Sequence, residues 1–122
     1  MPSAKTKLGR RGEDQAARFL RRLGHKIIAR NYLCPIGEID LVTIDGDTLV
    51  FVEVKSKLAG DLGGFTNITA AKQHKLVELA GTYLQQHQPR YTETRFDAVE
   101  VEYPDASLKR PVIRHLEDAF RA

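Results

Sequence analysis

The sequence predicts an α/β fold in which a mixed central sheet is flanked by helices. Two segments carry apolar residues at helical spacing, and between and after them lie short apolar, partly alternating runs. The resulting order is α-β-β-β-α-β with one further strand behind it, a pattern that packs helices on a sheet. At 122 residues and 42% hydrophobic content, the chain suits one domain, residues 1–122, that buries a core without disulfides.

The first helix is expected over residues 12–23, where Ala16, Ala17, Leu20 and Leu23 recur at helical spacing and Gly24 supplies a stop. Ahead of it, residues 1–9 read as a flexible basic arm. "HKIIARNY" (25–32) reads as the first strand and "GEIDLVTI" (37–44) as the second. "DGD" at 45–47 is a tight turn, so the second strand forms a hairpin with the third, "TLVFVEVKS" (48–56). "AGDLGG" (59–64) reads as a loop, and it lacks the Gly-Lys-Ser/Thr ending of a P-loop. A second helix is expected over 69–87, with Leu76, Leu79, Ala80, Tyr83 and Leu84 on one stripe. "TRFDAVEVEY" (94–103) gives another strand. "KRPVIRHLEDAF" (109–120) gives a short final strand and a helical turn.

Composition removes several function classes. No apolar run approaches the roughly 20 residues of a membrane-spanning helix. The basic start has no apolar segment behind it, so it is not a secretory signal. Cys34 is the single cysteine, and cytoplasmic residence is the expectation. His25, His74, His87 and His115 lack the spacing of a zinc helix. Aromatic content is 7% with no tryptophan, which disfavours a base-stacking single-strand binder. Charge is the positive signal. Residues 1–32 carry nine Lys or Arg against two Asp or Glu, a balance of +7, while the whole chain stands at +3. A basic face on an acidic body suggests an anionic partner such as nucleic acid, although a solvated helix face explains part of it.

The third strand poses a chemical question, because Glu53 and Lys55 interrupt an otherwise apolar run and share one face with Phe51. On the neighbouring strand Glu38 and Asp40 share a face, opposite Ile39 and Leu41. With Asp45 paired to Thr48, counting outward sets Asp40 opposite Glu53. A shift of one residue would set it opposite Val52, and the turn alone does not choose. In the first register two carboxylates converge beside a lysine, and hard oxygen ligands of that kind favour Mg²⁺ or Mn²⁺. The same residues also fit a cross-strand ion pair between Asp40 and Lys55. Two helical residues favour the metal reading. Glu13 lies on the inward stripe of the first helix, and Gln73 precedes Leu76 on that of the second. Lys7, Arg10 and Arg11, beside Glu13, are candidate phosphate contacts, followed by Lys72 and Lys75 beside Gln73. Lys5, Arg18, Arg21 and Arg22 could serve the same way. Asp97 reads as a structural cross-strand partner.

Glu13, "GEID" with Asp40, and "FVEVK" with Glu53 and Lys55 resemble the PD-(D/E)xK nuclease superfamily and its restriction-endonuclease-like fold. Over nearly the whole chain, "GRRGEDQAARFL", "RNYLCPIGEIDLV", "LVFVEVKSK", "RFDAVEVE" and "HLEDAF" resemble the small bacterial YraN family, which is grouped with endonucleases and is similar to archaeal Holliday-junction resolvases. The resemblance implies that Asp40, Glu53 and the Val54 carbonyl hold the metal, assisted by Glu13. Ile39 stands where the superfamily motif has proline. It further implies that Lys55 positions or activates water, that Gln73 matches a resolvase glutamine, and that a homodimer acts on branched DNA. The other expectation is a nucleic-acid-binding module that keeps the fold and cleaves little or nothing.

Overall fold

In the computed structural model, residues 5–61, 68–88 and 90–121 are described. Helix α1 (Lys7–Arg22) begins five residues earlier than the apolar periodicity suggests. Thr6 caps it, its hydroxyl accepting the Gly9 N–H at 3.0 Å, so the basic first turn is helical, and Leu8 within it packs against the core. The flexible arm expected over residues 1–9 is therefore wrong for 7–9, and residues 1–4 lie outside the described set. Leu23, expected on the inward stripe, is the exposed C-cap.

Strands β1 (Lys26–Cys34), β2 (Gly37–Asp45) and β3 (Thr48–Leu58) form an antiparallel meander. The β2–β3 turn passes through Gly46 at φ 62°, a left-handed conformation suited to glycine. Residues 62–64 of the expected 59–64 loop lie outside the described residues. Helix α2 (Ala70–His87) then crosses to β4 (Glu93–Tyr103), which pairs parallel with β3. The tail is a nine-residue strand, β5 (Val112–Phe120), antiparallel at the β4 edge, rather than a short strand with a helical turn. The sheet order is β1-β2-β3-β4-β5. This mixed sheet with a helix on each face has the restriction-endonuclease-like α/β architecture.

β3 lies between β2 and β4 and is covered on both faces. Val50 and Val52 pack with Ala16, Ala17 and Leu20 of α1, while Leu49 and Phe51 pack with Leu76, Leu79 and Tyr83 of α2. Each such side chain contributes about 1.5–3 kcal/mol through removal from water. That two-sided burial explains why the strand reads as a continuous apolar run. No helix among the described residues is long and apolar enough to cross a membrane.

α1 approaches β3 unusually closely. A Cβ added to Gly12 would stand 1.7 Å from Ser56 Oγ and 2.7 Å from Ser56 Cβ. Glycine is thus required by contact, not by backbone angle. We expect Gly12→Ala to destabilise the fold by about 1–3 kcal/mol in urea unfolding. Ser56→Gly in the same background should recover more of that loss than Ser56→Ala, because Ser56 Cβ is itself in the way.

At the opposite end of the sheet, Asp97 is fully buried where the β4–β5 register slips. Its carboxylate accepts from Arg95 Nε at 2.8 Å and from the Asp118 backbone N–H at 2.9 Å, and it pairs with His115 Nε2 at 2.8 Å. The structural cross-strand role expected of Asp97 is therefore seen, with His115 on β5 as the partner. Burial alone would raise the Asp97 pKa, but the bonds from His115, Arg95 and Asp118 outweigh it and hold the carboxyl below its usual range. A depressed native pKa stabilises the fold above the unfolded value of about 3.9 and is lost as pH falls through the native one. Asp97→Asn should cost about 3 kcal/mol at neutral pH. In melting curves taken from neutral to acid pH, the gap between variant and wild type should close only below about pH 4.

Candidate active site

The β2–β3 ladder has the register in which Asp40 would oppose Glu53, but it stops one pair short. Pairs run from Asp45↔Thr48 to Leu41↔Val52, and Asp40 belongs to neither that ladder nor the one with β1. The residue at the matching position of β1, Asn31, is likewise unpaired in the ladder and adopts a left-handed φ of 52°. Asparagine tolerates that conformation better than most side chains. Alternation breaks here. Ile39 and Leu41, expected on one face, lie in the α2 and α1 cores respectively. Asp40 turns its carboxylate toward β3, where Oδ2 accepts the Val54 N–H at 2.8 Å. That amide follows directly on Glu53, so the two acidic residues flank one peptide unit.

Glu13 enters from α1 and is 3% exposed. Its Oε1 accepts from Asn31 Nδ2 at 2.7 Å, and its Oε2 meets the Lys5 ammonium. Lys5 Nζ also contacts Asp40 Oδ1 at 3.0 Å and Glu38 Oε1 at 3.1 Å. Three carboxylates thus converge on one cation. Burial raises the Asp40 pKa and the neighbouring Glu13 charge adds to the rise, against the Val54 N–H and Lys5. For Lys5, burial would lower the pKa, but Glu13, Asp40 and Glu38 outweigh it and the ammonium is held more firmly than usual. Glu38 Oε2 is buried with no hydrogen-bond partner among the described residues.

The remaining sequence candidates occupy the α2 side of the same opening. Glu53 shares the face of Phe51 and pairs with Lys72 Nζ at 3.1 Å, not with Asp40. Lys55 is exposed and makes no hydrogen bond or ion pair among the described residues. The Asp40–Lys55 ion pair, the alternative to the metal reading, is therefore absent among them. Gln73 is half-buried, and its Nε2 donates to the Ile68 carbonyl at 2.9 Å, which ties it to the segment entering α2. Lys75 lies beside Gly37, at the start of β2.

Lys7, Arg10 and Arg11 come together. With Glu13, Asp14, Arg30 and Asn31 they line a cavity of about 380 Å³ next to the acid cluster. Arg10 Nη1 donates to the Lys5 carbonyl at 2.5 Å, and Arg30 pairs with Asp14 at 2.7 Å. Sequence reading missed Arg30 and Asn31, and it took Lys5 only as a phosphate contact. An asparagine inside a strand-like run was the available signal, because that residue type is depleted in strands.

Among the described residues no three His, Cys, Asp or Glu side chains form a ready-made metal group. His25 and His115 approach with ring centroids 6.1 Å apart, but they are engaged by Thr43 and Asp97. The acid cluster has a donor set suited to a hard divalent cation. Its ligands are carboxylate oxygens, a cation already stands among them, and one buried oxygen is unclaimed.

The chain matches the family described as "Uncharacterised protein family UPF0102" over residues 12–101. It is 40% identical to a UPF0102 protein of Pelotomaculum thermopropionicum, over 98% of this chain and 100% of that one. A UPF0102 protein of Paenarthrobacter aurescens is 45% identical over 93% of each chain. One from Chloroflexus aurantiacus is 48% identical over 81% of this chain and 82% of its own. Their names state a family and no reaction.

The Asp40–Val54 bond makes a measurable distinction. Asp40→Asn keeps an acceptor for the Val54 N–H, whereas Asp40→Ala removes it. Chemical denaturation should find the alanine variant less stable than the asparagine variant by about 1–2 kcal/mol.

Proposed function

The chain belongs to the UPF0102 (YraN) family, and from its own side chains we propose that it is a metal-dependent DNA endonuclease. The observation that carries this reading is the opened ladder. Asp40 binds the amide next to Glu53, while buried Glu13 arrives from α1 to the same place. Bringing carboxylates together out of water is costly unless a cation compensates them. Asp40, the Val54 carbonyl and Glu13 would hold Mg²⁺ or Mn²⁺, with Glu53 joining them on release from Lys72. Bound there, the metal lowers the pKa of a coordinated water and polarises a phosphoryl oxygen.

The chain's own groups do the rest. Lys55 is exposed and has no carboxylate partner among the described residues, so its ammonium can orient the attacking water or offset charge developing on the phosphate. Lys7, Arg10, Arg11 and Arg30, around the adjoining cavity, hold the backbone of the strand being cut. Lys72 and Lys75 extend the basic surface on the α2 side. Gln73 sets the start of α2 and so the position of Lys72. The reaction is addition of water to phosphorus with rupture of one P–O bond. The substrate class is DNA, with branched or otherwise structured forms favoured. The setting is the cytoplasm, and a homodimer suits a two-fold junction.

One observation favours a second reading, a nucleic-acid-binding module with little or no cleavage. Lys5 already compensates the cluster, so the carboxylates have a structural partner without any metal.

Cleavage of labelled single strands, duplexes, flaps and four-way junctions, with Mg²⁺, Mn²⁺ or EDTA, separates the two. We expect metal-dependent cutting that falls by at least about a hundredfold in both Glu53→Ala and Lys55→Ala. Salt-sensitive binding without cutting in all three proteins would leave the binding module.

A further inference from the structure

We infer that Lys5 is an internal occupant of the metal position, so that its ammonium and a divalent cation compete for the same oxygens and loading the site expels Lys5. The inference rests on the metal reading above, and it concerns what fills the site before the metal arrives.

The oxygen inventory carries the argument. Glu13 Oε1 is committed to Asn31, and Asp40 Oδ2 is committed to the Val54 N–H. Both bonds belong to the scaffold, since they join α1 to β1 and β2 to β3. Of the Glu13 and Asp40 oxygens, Glu13 Oε2 and Asp40 Oδ1 are left for a metal, and Lys5 holds both. An ammonium and a divalent cation on the same two oxygens would lie within a few ångströms of each other and repel strongly. Lysine suits the place-holding role. Its compact head has three donors, and three carboxylates are in reach.

Departure of Lys5 is locally inexpensive. Thr6, not Lys5, caps α1, so the side chain can swing out without unwinding the helix.

The test is Mn²⁺ binding to EDTA-stripped full-length protein, followed by the electron paramagnetic resonance signal of free Mn²⁺. Wild type, Lys5→Met and Asp40→Asn would be compared. Removing the competitor should tighten Mn²⁺ binding on the order of tenfold in Lys5→Met, while Asp40→Asn binds more weakly than either. A second measurement reads the wild type and needs a conservative variant only for assignment. The ¹⁵N resonance of the Lys5 ammonium, assigned by its loss in Lys5→Arg, should move to the position of a solvated lysine as Mg²⁺ is added. Equal Mn²⁺ affinity in wild type and Lys5→Met, or a Lys5 resonance unmoved at saturating Mg²⁺, overturns the competition and leaves the metal reading intact. No Mn²⁺ binding by either protein overturns both.

Discussion

The site depends on a backbone amide that has lost its neighbour strand. Where β2 parts from β3, the Val54 N–H needs an acceptor, and the Asp40 carboxylate provides it. Leaving such a group unpaired costs about 1–3 kcal/mol, so the aspartate fixes the geometry of the gap as well as its charge. The other features follow. The chain turns over at Asn31 and Ile39, Glu38 and Asp40 reach the α1 side, and Glu53 is left on the α2 side of the same peptide. Asp97 repeats the device at the β4–β5 irregularity, where it takes the Asp118 N–H. There Oδ1 takes Arg95 and the Asp118 N–H while Oδ2 takes Arg95 and His115; Asp40 Oδ1 meets Lys5 alone among the described residues.

That difference separates a structural acid from a candidate catalytic one. Asp97 is surrounded by two cationic or titratable side chains and an amide, and its charge is stabilised in place. Asp40 is buried beside other acids, and its charge is disfavoured relative to an ordinary carboxylate. A fold tolerates such a group when something compensates it, and Lys5 does so here. Perturbed carboxylates of this kind gather where ligands bind, which agrees with the proposed function.

Much of the architecture was legible because it follows from side-chain period. β3 and α2 announced themselves through Val50, Val52, Leu76 and Tyr83, and the turn at Gly46 marked the hairpin while leaving its register open by one residue. The candidate acids were legible because charge inside an apolar strand demands a reason. What escaped were the departures from period. The start of α1 carries a single apolar residue, Leu8, too little to mark a period, and a threonine that could cap. The left-handed Asn31 and the reversal at Ile39 depend on strands separating, which no local pattern encodes. Lys5 looked like any basic residue near the N-terminus, since its acidic partners come from α1 and from β2, far along the chain. Distance in sequence hid the contact, although charge complementarity favoured it.

The contact between Gly12 and Ser56 bears on how the molecule could admit a duplex. With backbone resting on side chain and no Cβ between them, α1 and β3 behave as one rigid block, and Glu13 is carried on it at the very next residue. The block cannot hinge at that seam without opening a void. The other bank, the outer half of the β1–β2 hairpin beyond Asn31 and Asp40, has left β3 but rests on α2 through Tyr32, Cys34 and Ile39. Both banks are therefore braced, and the cleft between them is preformed.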